Sequence, residues 1–201
     1  MTAPARYVLA TTNRDKIREI RAILRDLPIV LAGLDGFPPI VPPEETGATF
    51  AENARLKALY YARATGLPAI AEDSGLEVDA LDGMPGVQSA RFGGVDATYP
   101  ERFAVLYEML AARGVSGSTA RFVCHVALAS GDAVMFDARG TVQGQIAPEP
   151  RGAGGFGYDP VFFHPPSGAT LAEVSSERKA AVSHRGEAFR KVAGWLGRFA
   201  R

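Results

Sequence analysis

The sequence predicts an α/β fold in a single domain. Strand-like apolar segments alternate with amphipathic helices along the chain, and 201 residues suffice to bury roughly 70% of the unfolded surface in one core. A third observation says where the chemistry would sit. Ala69-Ile70-Ala71 suits a buried strand and runs straight into Glu72, Asp73, Ser74 and Gly75. The acids are therefore expected where a strand leaves the sheet, the usual address of function in α/β proteins. Both carboxyls are charged at pH 7 unless buried. Two readings fit them: a set of hard oxygen ligands suited to Mg²⁺, or a polar turn that caps a strand.

The elements follow in order. Tyr7–Ala10 reads as the first strand, and Ile17, Ile20, Leu24 and Leu27 recur at helical spacing after it. Thr12 or Asn13 can cap that helix, whose N-terminal N–H groups favour anions. Lys16 in the first turn is electrostatically misplaced, since that turn favours acids. An anion bound beside it would explain the lysine; an ordinary surface lysine on a capped helix is the alternative. Ile29–Ala32 reads as a second strand, and the prolines from Pro38 to Pro43 force irregular chain that leads to Glu44-Glu45-Thr46-Gly47. Thr49 and Glu52 have capping-box spacing and open a helix to about Thr65. Asn53 and Lys57 share one face of it, which is either solvated or turned back toward the acids.

Leu76–Leu81 alternates as a half-buried strand does. Gly83–Gly86 turns, Ser89–Gly94 is irregular, and Thr98 starts a helix with Phe103, Leu106, Tyr107 and Leu110 on its core face, ended by Gly114. Phe122–Ala129 and Ala133–Val142 form an expected hairpin around Ser130-Gly131-Asp132. His125 in its first strand reads as structural. Gly152, Gly154 and Gly157 satisfy G-x-G-x-x-G, but Asp159-Pro160 follows where a dinucleotide site needs a helix start, so that site is rejected. The glycines still permit close backbone approach to a ligand, and Phe156 and Tyr158 could offer aromatic surface to a base. Ser175 or Ser176 caps a short helix holding Lys179, Ser183–Gly186 breaks it, and Phe189, Val192, Leu196 and Phe199 mark a last amphipathic helix.

Composition narrows the function. Lys+Arg and Asp+Glu are both 22, so no global field exists to hold a nucleic acid and any phosphate binding is local. One cysteine, Cys124, excludes an intramolecular disulfide and a cysteine-based zinc site and suits a reducing compartment. No apolar run approaches the roughly 18 residues of a membrane span and no leader is visible, which makes the cytoplasm the default. A P-loop, an H-E-x-x-H helix and a nucleophile elbow are all missing from the sequence. Two acidic pairs, scattered cations and glycine-rich loops remain, a kit for metal-dependent hydrolysis of a phosphate ester or anhydride.

These residues resemble a known family. Thr11-Thr12-Asn13 with Lys16, Glu44-Glu45-Thr46-Gly47 with Phe50, Glu52-Asn53-Ala54 and Lys57-Ala58 look like the inosine triphosphate pyrophosphatase family. So do Glu72–Leu76, Pro85-Gly86 with Ser89-Ala90-Arg91, Gly155–Pro160, and Lys179 with Ser183-His184-Arg185-Gly186. Thr12 stands where a glycine or serine is common in bacterial members, and Glu72 where aspartate is. The resemblance implies an elongated, mixed α/β domain over residues 1–201, with two lobes, a central cleft and a homodimeric state. It implies Mg²⁺-dependent hydrolysis of purine nucleoside triphosphates (ITP, dITP, XTP) to monophosphate and pyrophosphate. Carried over by residue, Asp73 is the proton acceptor and a metal ligand, with Glu44 the other ligand. Thr11, Thr12, Asn13, Arg14, Asp15, Lys16 and Lys57 hold phosphate, and Ser74, Phe156, Gly157, Tyr158, Asp159, Lys179, His184 and Arg185 contact the nucleotide. The alternatives are a house-cleaning enzyme for modified pyrimidine or ordinary nucleotides, and a nucleotide-binding module without turnover.

Overall fold

The computed structural model describes residues 4–198; the expected helix position Phe199 lies outside them. The strands are β1 (Ala5–Leu9), β2 (Ile29–Ala32), β3 (Ala69–Val78), β4 (Thr119–Ser130), β5 (Ala133–Ile146), β6 (Phe162–His164) and β7 (Ala169–Thr170). The helices are α1 (Arg14–Leu24), α2 (Phe50–Thr65), α3 (Tyr99–Ala112), α4 (Ser176–Val182) and α5 (His184–Leu196). The strands form one mixed α/β sheet in the order β2-β1-β3-β4-β5-β6-β7. β1 runs parallel to β2 and β3, while β6 is antiparallel to β5 and β7. No helix among the described residues is long and apolar enough to cross a membrane.

The described residues divide into two compact units, residues 4–73 with 124–140 and 184–198, and residues 74–123 with 141–183. In the first unit β3 has a core on each face. Ile70 packs with Leu9, Ile20, Leu24 and Cys124 and with Phe189 and Val192 of α5. Ala69 and Ala71 pack with Val8, Ala10, Ala54, Ala58 and Tyr61, the last three from α2. In the second unit Leu76, Val78, Phe103, Leu106, Phe122 and Phe162 share one core.

The local signals locate most boundaries. Thr49 and Glu52 make the capping box that opens α2, Thr98 and Glu101 another for α3, and Asn13 caps α1. The glycine run leads into a 3₁₀ turn and then β6, as its rejection as a dinucleotide motif requires. His125 is mostly buried, with Nε2 3.8 Å from the Asp137 carboxylate.

Two expectations are corrected. Glu72 and Asp73 do not end a strand: β3 continues through them to Val78. What ends beside them is β1, whose last pairing is Leu9 with Ile70. The charged pair reads as a turn in sequence because the ion pairs that let carboxylates sit inside a sheet come from distant residues. The second correction is at Ser183, which alone separates α4 from α5, so His184, Arg185 and Gly186 form the first turn of α5. Gly140 of β5 makes room there, since a Cβ on it would overlap His184 O and Ala188 N.

Candidate active site

In the first unit, charge gathers on β3. Side chains alternate along a strand, so Glu72 and Asp73 project to opposite faces and meet different helices. Asp73, 7% exposed, lies against α2. Its Oδ1 accepts from Lys57 Nζ at 3.1 Å and its Oδ2 from Asn53 Nδ2 at 3.2 Å. The spacing of four that set Asn53 and Lys57 on one helical face thus turns that face onto the acid. Lys57 Nζ also lies 2.7 Å from Glu45 Oε1, so one ammonium joins two carboxylates. Burial pushes the Asp73 pKa up, the Lys57 charge opposes this, and the charges of Glu45 and Glu72 add to the rise. The result is a carboxylate more basic than usual. Burial works to lower the Lys57 pKa, but the Asp73 and Glu45 charges outweigh it and leave it raised.

Glu72 occupies the other face, between α1 and α5. Its Oε1 accepts from Lys16 Nζ at 2.8 Å and from Arg185 Nη2 at 3.3 Å, and Arg185 Nη1 reaches Glu19 at 2.7 Å. Burial would raise the Glu72 pKa, yet Lys16 and Arg185 overcome it and hold the carboxyl well below the ordinary range. The Cys124 thiol donates to Glu72 Oε2 at 3.6 Å. Burial, reinforced by the Glu72 charge, drives its pKa well up, which makes it an inert thiol. The misplaced Lys16 therefore has its anion, and that anion is the protein's own Glu72.

The Thr11–Lys16 loop is partly self-satisfied. Asn13 Oδ1 accepts from the backbone N–H of Asp15 at 3.0 Å and of Lys16 at 3.1 Å, and Thr11 Oγ1 accepts from Asn13 N at 3.2 Å. These are donors the sequence left for an anion. Thr12 and Arg14 are exposed, and Asp15 pairs with Arg18.

The acidic loop before α2 contributes Glu45. The family resemblance singles out Glu44, which is exposed; the carboxylate that meets Asp73 through Lys57 belongs to its neighbour. Among the described residues no group of three or more His, Cys, Asp or Glu side chains could hold a metal ion. The donor chemistry of Glu45 and Asp73 nonetheless fits Mg²⁺, an ion held by one or two carboxylates with waters and substrate phosphates in the rest of its shell.

The second unit has its own buried pair. Asp159 Oδ2 accepts from Lys179 Nζ at 2.5 Å and from Phe156 N at 2.7 Å. The same ammonium stands 4.5 Å from the centre of the Phe156 ring, a cation–π contact. Gly155, at φ +66°, is needed here because a Cβ would overlap the Asp159 carboxylate. Tyr158 does not offer the aromatic surface expected of it. It is 3% exposed, its hydroxyl donates to Ser89 O at 3.0 Å, and its ring packs edge-on against Tyr99. Ser74 and Gly157 are half-buried.

Three participants escaped the sequence reading as site residues: Asn53, Glu45 and Glu19. Only Asn53 left a signal, its spacing from Lys57. Glu45 is indistinguishable from Glu44 until the loop is folded, and Glu19 is one acid among 22 Asp and Glu.

Known proteins share this sequence and fold over nearly their full lengths. A dITP/XTP pyrophosphatase of Geobacter sulfurreducens is 49% identical over 192 residues, 96% of each chain. One from Thermus thermophilus is 51% identical over 187 residues, 93% of this chain and 89% of that one. A HAM1 protein structure from Coxiella burnetii superposes with a TM-score of 0.88 at 43% identity, covering 96% of this chain and 99% of that one. The pattern that defines the Ham1 family matches residues 7–195, a span that takes in the Lys16, Lys57, Asp73, Lys179 and Arg185 positions described above, and this chain belongs to the Ham1 family.

Proposed function

We propose that this chain is a nucleoside-triphosphate pyrophosphohydrolase acting on the deaminated purine nucleotides dITP, XTP and ITP, which it converts to the monophosphate and pyrophosphate. The names carried by its relatives support the substrate class, and one observation supports the chemistry: Asp73, a buried carboxylate with a raised pKa, held at both oxygens by Lys57 and Asn53. Each oxygen keeps a second lone pair. Asp73 takes the proton of the water that opens the α–β anhydride, and a base with a raised pKa drives that transfer better than an ordinary aspartate.

Asp73 and Glu45 are the residues that would hold Mg²⁺. Bound there, the ion would neutralise phosphate oxygens as a Lewis acid. Its charge is needed, because the residues around β3 cannot attract a triphosphate alone. Glu19, Glu45, Glu72 and Asp73 outnumber Lys16, Lys57 and Arg185. Lys57 and the Thr11–Lys16 loop take phosphate. Arg185, committed to Glu19 and Glu72, serves the site by anchoring Glu72. Nucleotide contact is assigned to Ser74, Phe156, Gly157, Asp159, Lys179 and His184. The same reading takes residues 1–201 as one functional domain in a cytoplasmic homodimer.

The test is a panel of nucleoside triphosphates with pyrophosphate detection, with and without Mg²⁺. Turnover of dITP and XTP far above ATP and GTP, abolished by EDTA and restored by Mg²⁺, is expected. Preference for modified pyrimidines or ordinary nucleotides overturns the substrate assignment, and binding without hydrolysis overturns the enzyme.

A further inference from the structure

We infer that Asn53 is a positioning residue for the reaction, the tether that holds the Glu45 loop and Asp73 as one rigid piece. The inference rests on the function proposed above, and Asn53 acts through Gly47 and Asp73, the residues its side chain bonds.

The geometry is a closed set of hydrogen bonds. Asn53 Oδ1 accepts from Gly47 N at 2.8 Å, while Nδ2 donates to Gly47 O at 3.3 Å and to Asp73 Oδ2 at 3.2 Å. One side-chain amide thus pairs both polar groups of a loop residue, as a neighbouring strand would, and spends its other N–H on the acid. The amide has one orientation. Turned over, it would set donor against the Gly47 N–H and acceptor against the Asp73 carboxylate. Asn53 is 0% exposed, and a buried amide is tolerable only because its hydrogen bonds are made. The fit is tight from the loop side as well, since a Cβ on Gly47 would stand 2.6 Å from Asn53 Oδ1.

A role confined to starting α2 does not account for this. Thr49 and Glu52 already cap that helix reciprocally, and the Asn53 side chain satisfies none of its first-turn N–H groups. Its three partners lie instead in the loop that carries Glu45 and on the acid that meets the same Lys57. Without the tether, Asp73 would keep a restraint at Oδ1 and lose the one at Oδ2, and Glu45 would be free to leave Lys57 with its loop. Misplacement of a catalytic group by about 1 Å can cost on the order of 10²-fold in rate.

Two variants attack the tether from its two ends, Asn53→Ala and Gly47→Ala. Each is read by kcat and KM for dITP, by the Mn²⁺ affinity of the nucleotide-free protein from water-proton relaxation, and by Tm. The expected result is a kcat about 10- to 100-fold lower with KM changed less than about threefold, and weaker Mn²⁺ binding in both variants. A residue that only supports the fold would lower Tm and leave kcat per folded molecule and Mn²⁺ affinity intact, and that result in either folded variant overturns the inference. If the unmodified protein turns over no nucleoside triphosphate, the function proposed above fails by itself. The Mn²⁺ comparison then decides the tether: equal affinity in protein and variants overturns it, and weakened affinity sustains it.

Discussion

Glu72 and Asp73 are joined by one peptide bond and face away from each other. Glu72 accepts from Lys16 at 2.8 Å on one face of the sheet, and Asp73 from Lys57 at 3.1 Å on the other. Their environments push the two carboxyls in opposite directions. Burial wins at Asp73 and raises its pKa; at Glu72 two cations overcome burial and lower it. A divergence of this kind between neighbouring acids is what the proposed roles require, Asp73 as proton acceptor and Glu72 as structural anion.

Asp73→Asn should therefore separate activity from stability. Removing the proposed base is expected to lower kcat by at least about 10²-fold. The loss of charge itself costs the fold nothing at neutral pH, because a raised pKa means that burial penalises the charged form, but the new amide sets its NH₂ against either Asn53 Nδ2 or Lys57 Nζ, so Tm should fall modestly. Lys57 keeps Glu45 as its partner in that variant. The measurements are kcat for dITP and the Tm of the same preparation. Unchanged turnover would remove Asp73 from the chemistry, and a Tm loss as large as that of breaking a buried ion pair, roughly 6–12 °C, would mean that its charge is stabilising after all.

Glu72→Gln should behave in the opposite way. Its side chain is 1% exposed, and losing one member of a buried ion pair costs about 3 kcal/mol or more. For a chain of this length that corresponds to a Tm lower by roughly 6–12 °C. A carboxyl with a depressed folded-state pKa contributes stability that is complete above its unfolded value and is lost as pH falls toward the folded one. The gap between the unmodified protein and Glu72→Gln should be constant from neutral pH down to about pH 5 and close below it. Melting curves across that range check this. A gap that widens in acid would contradict the ion-pair account.

How far the sequence carried these assignments depended on the range of the interactions. The caps at Asn13, Thr49 and Thr98 are local hydrogen bonds between residues two or three apart, and they set helix starts correctly. The strand Ile29–Ala32 was legible from its apolar run. The Asn53–Lys57 face needed only helical periodicity. The path of β3 through two acids was illegible because it depends on Lys16 and Arg185, 56 and 113 residues from Glu72 in sequence. Tyr158 was misread for the same reason: whether an aromatic ring faces solvent or core is decided by Tyr99, Phe103 and Ser89, which no local pattern connects to it.

The Asp159–Lys179 pair in the second unit yields the last prediction. Their side chains are 3% and 5% exposed, so the ammonium has little water to turn to. Asp159→Ala takes away the carboxylate 2.5 Å from it and should cost about 3–5 kcal/mol, the usual result of breaking a buried pair from one side. The double variant Asp159→Ala with Lys179→Met removes the second charge too, and a flexible apolar chain can fill the lysine's path beside Phe156. Phe156 N loses its acceptor equally in the single and double variants, so that loss cancels between them. The double variant should then be more stable than Asp159→Ala by at least about 1–2 kcal/mol, because an apolar side chain in place of the buried charge removes its desolvation cost. Urea unfolding measures it, provided the slope with denaturant is unchanged across the set. A double variant no more stable than Asp159→Ala would mean that the remaining ammonium finds other compensation, and that the pair contributes less to the fold than its burial implies.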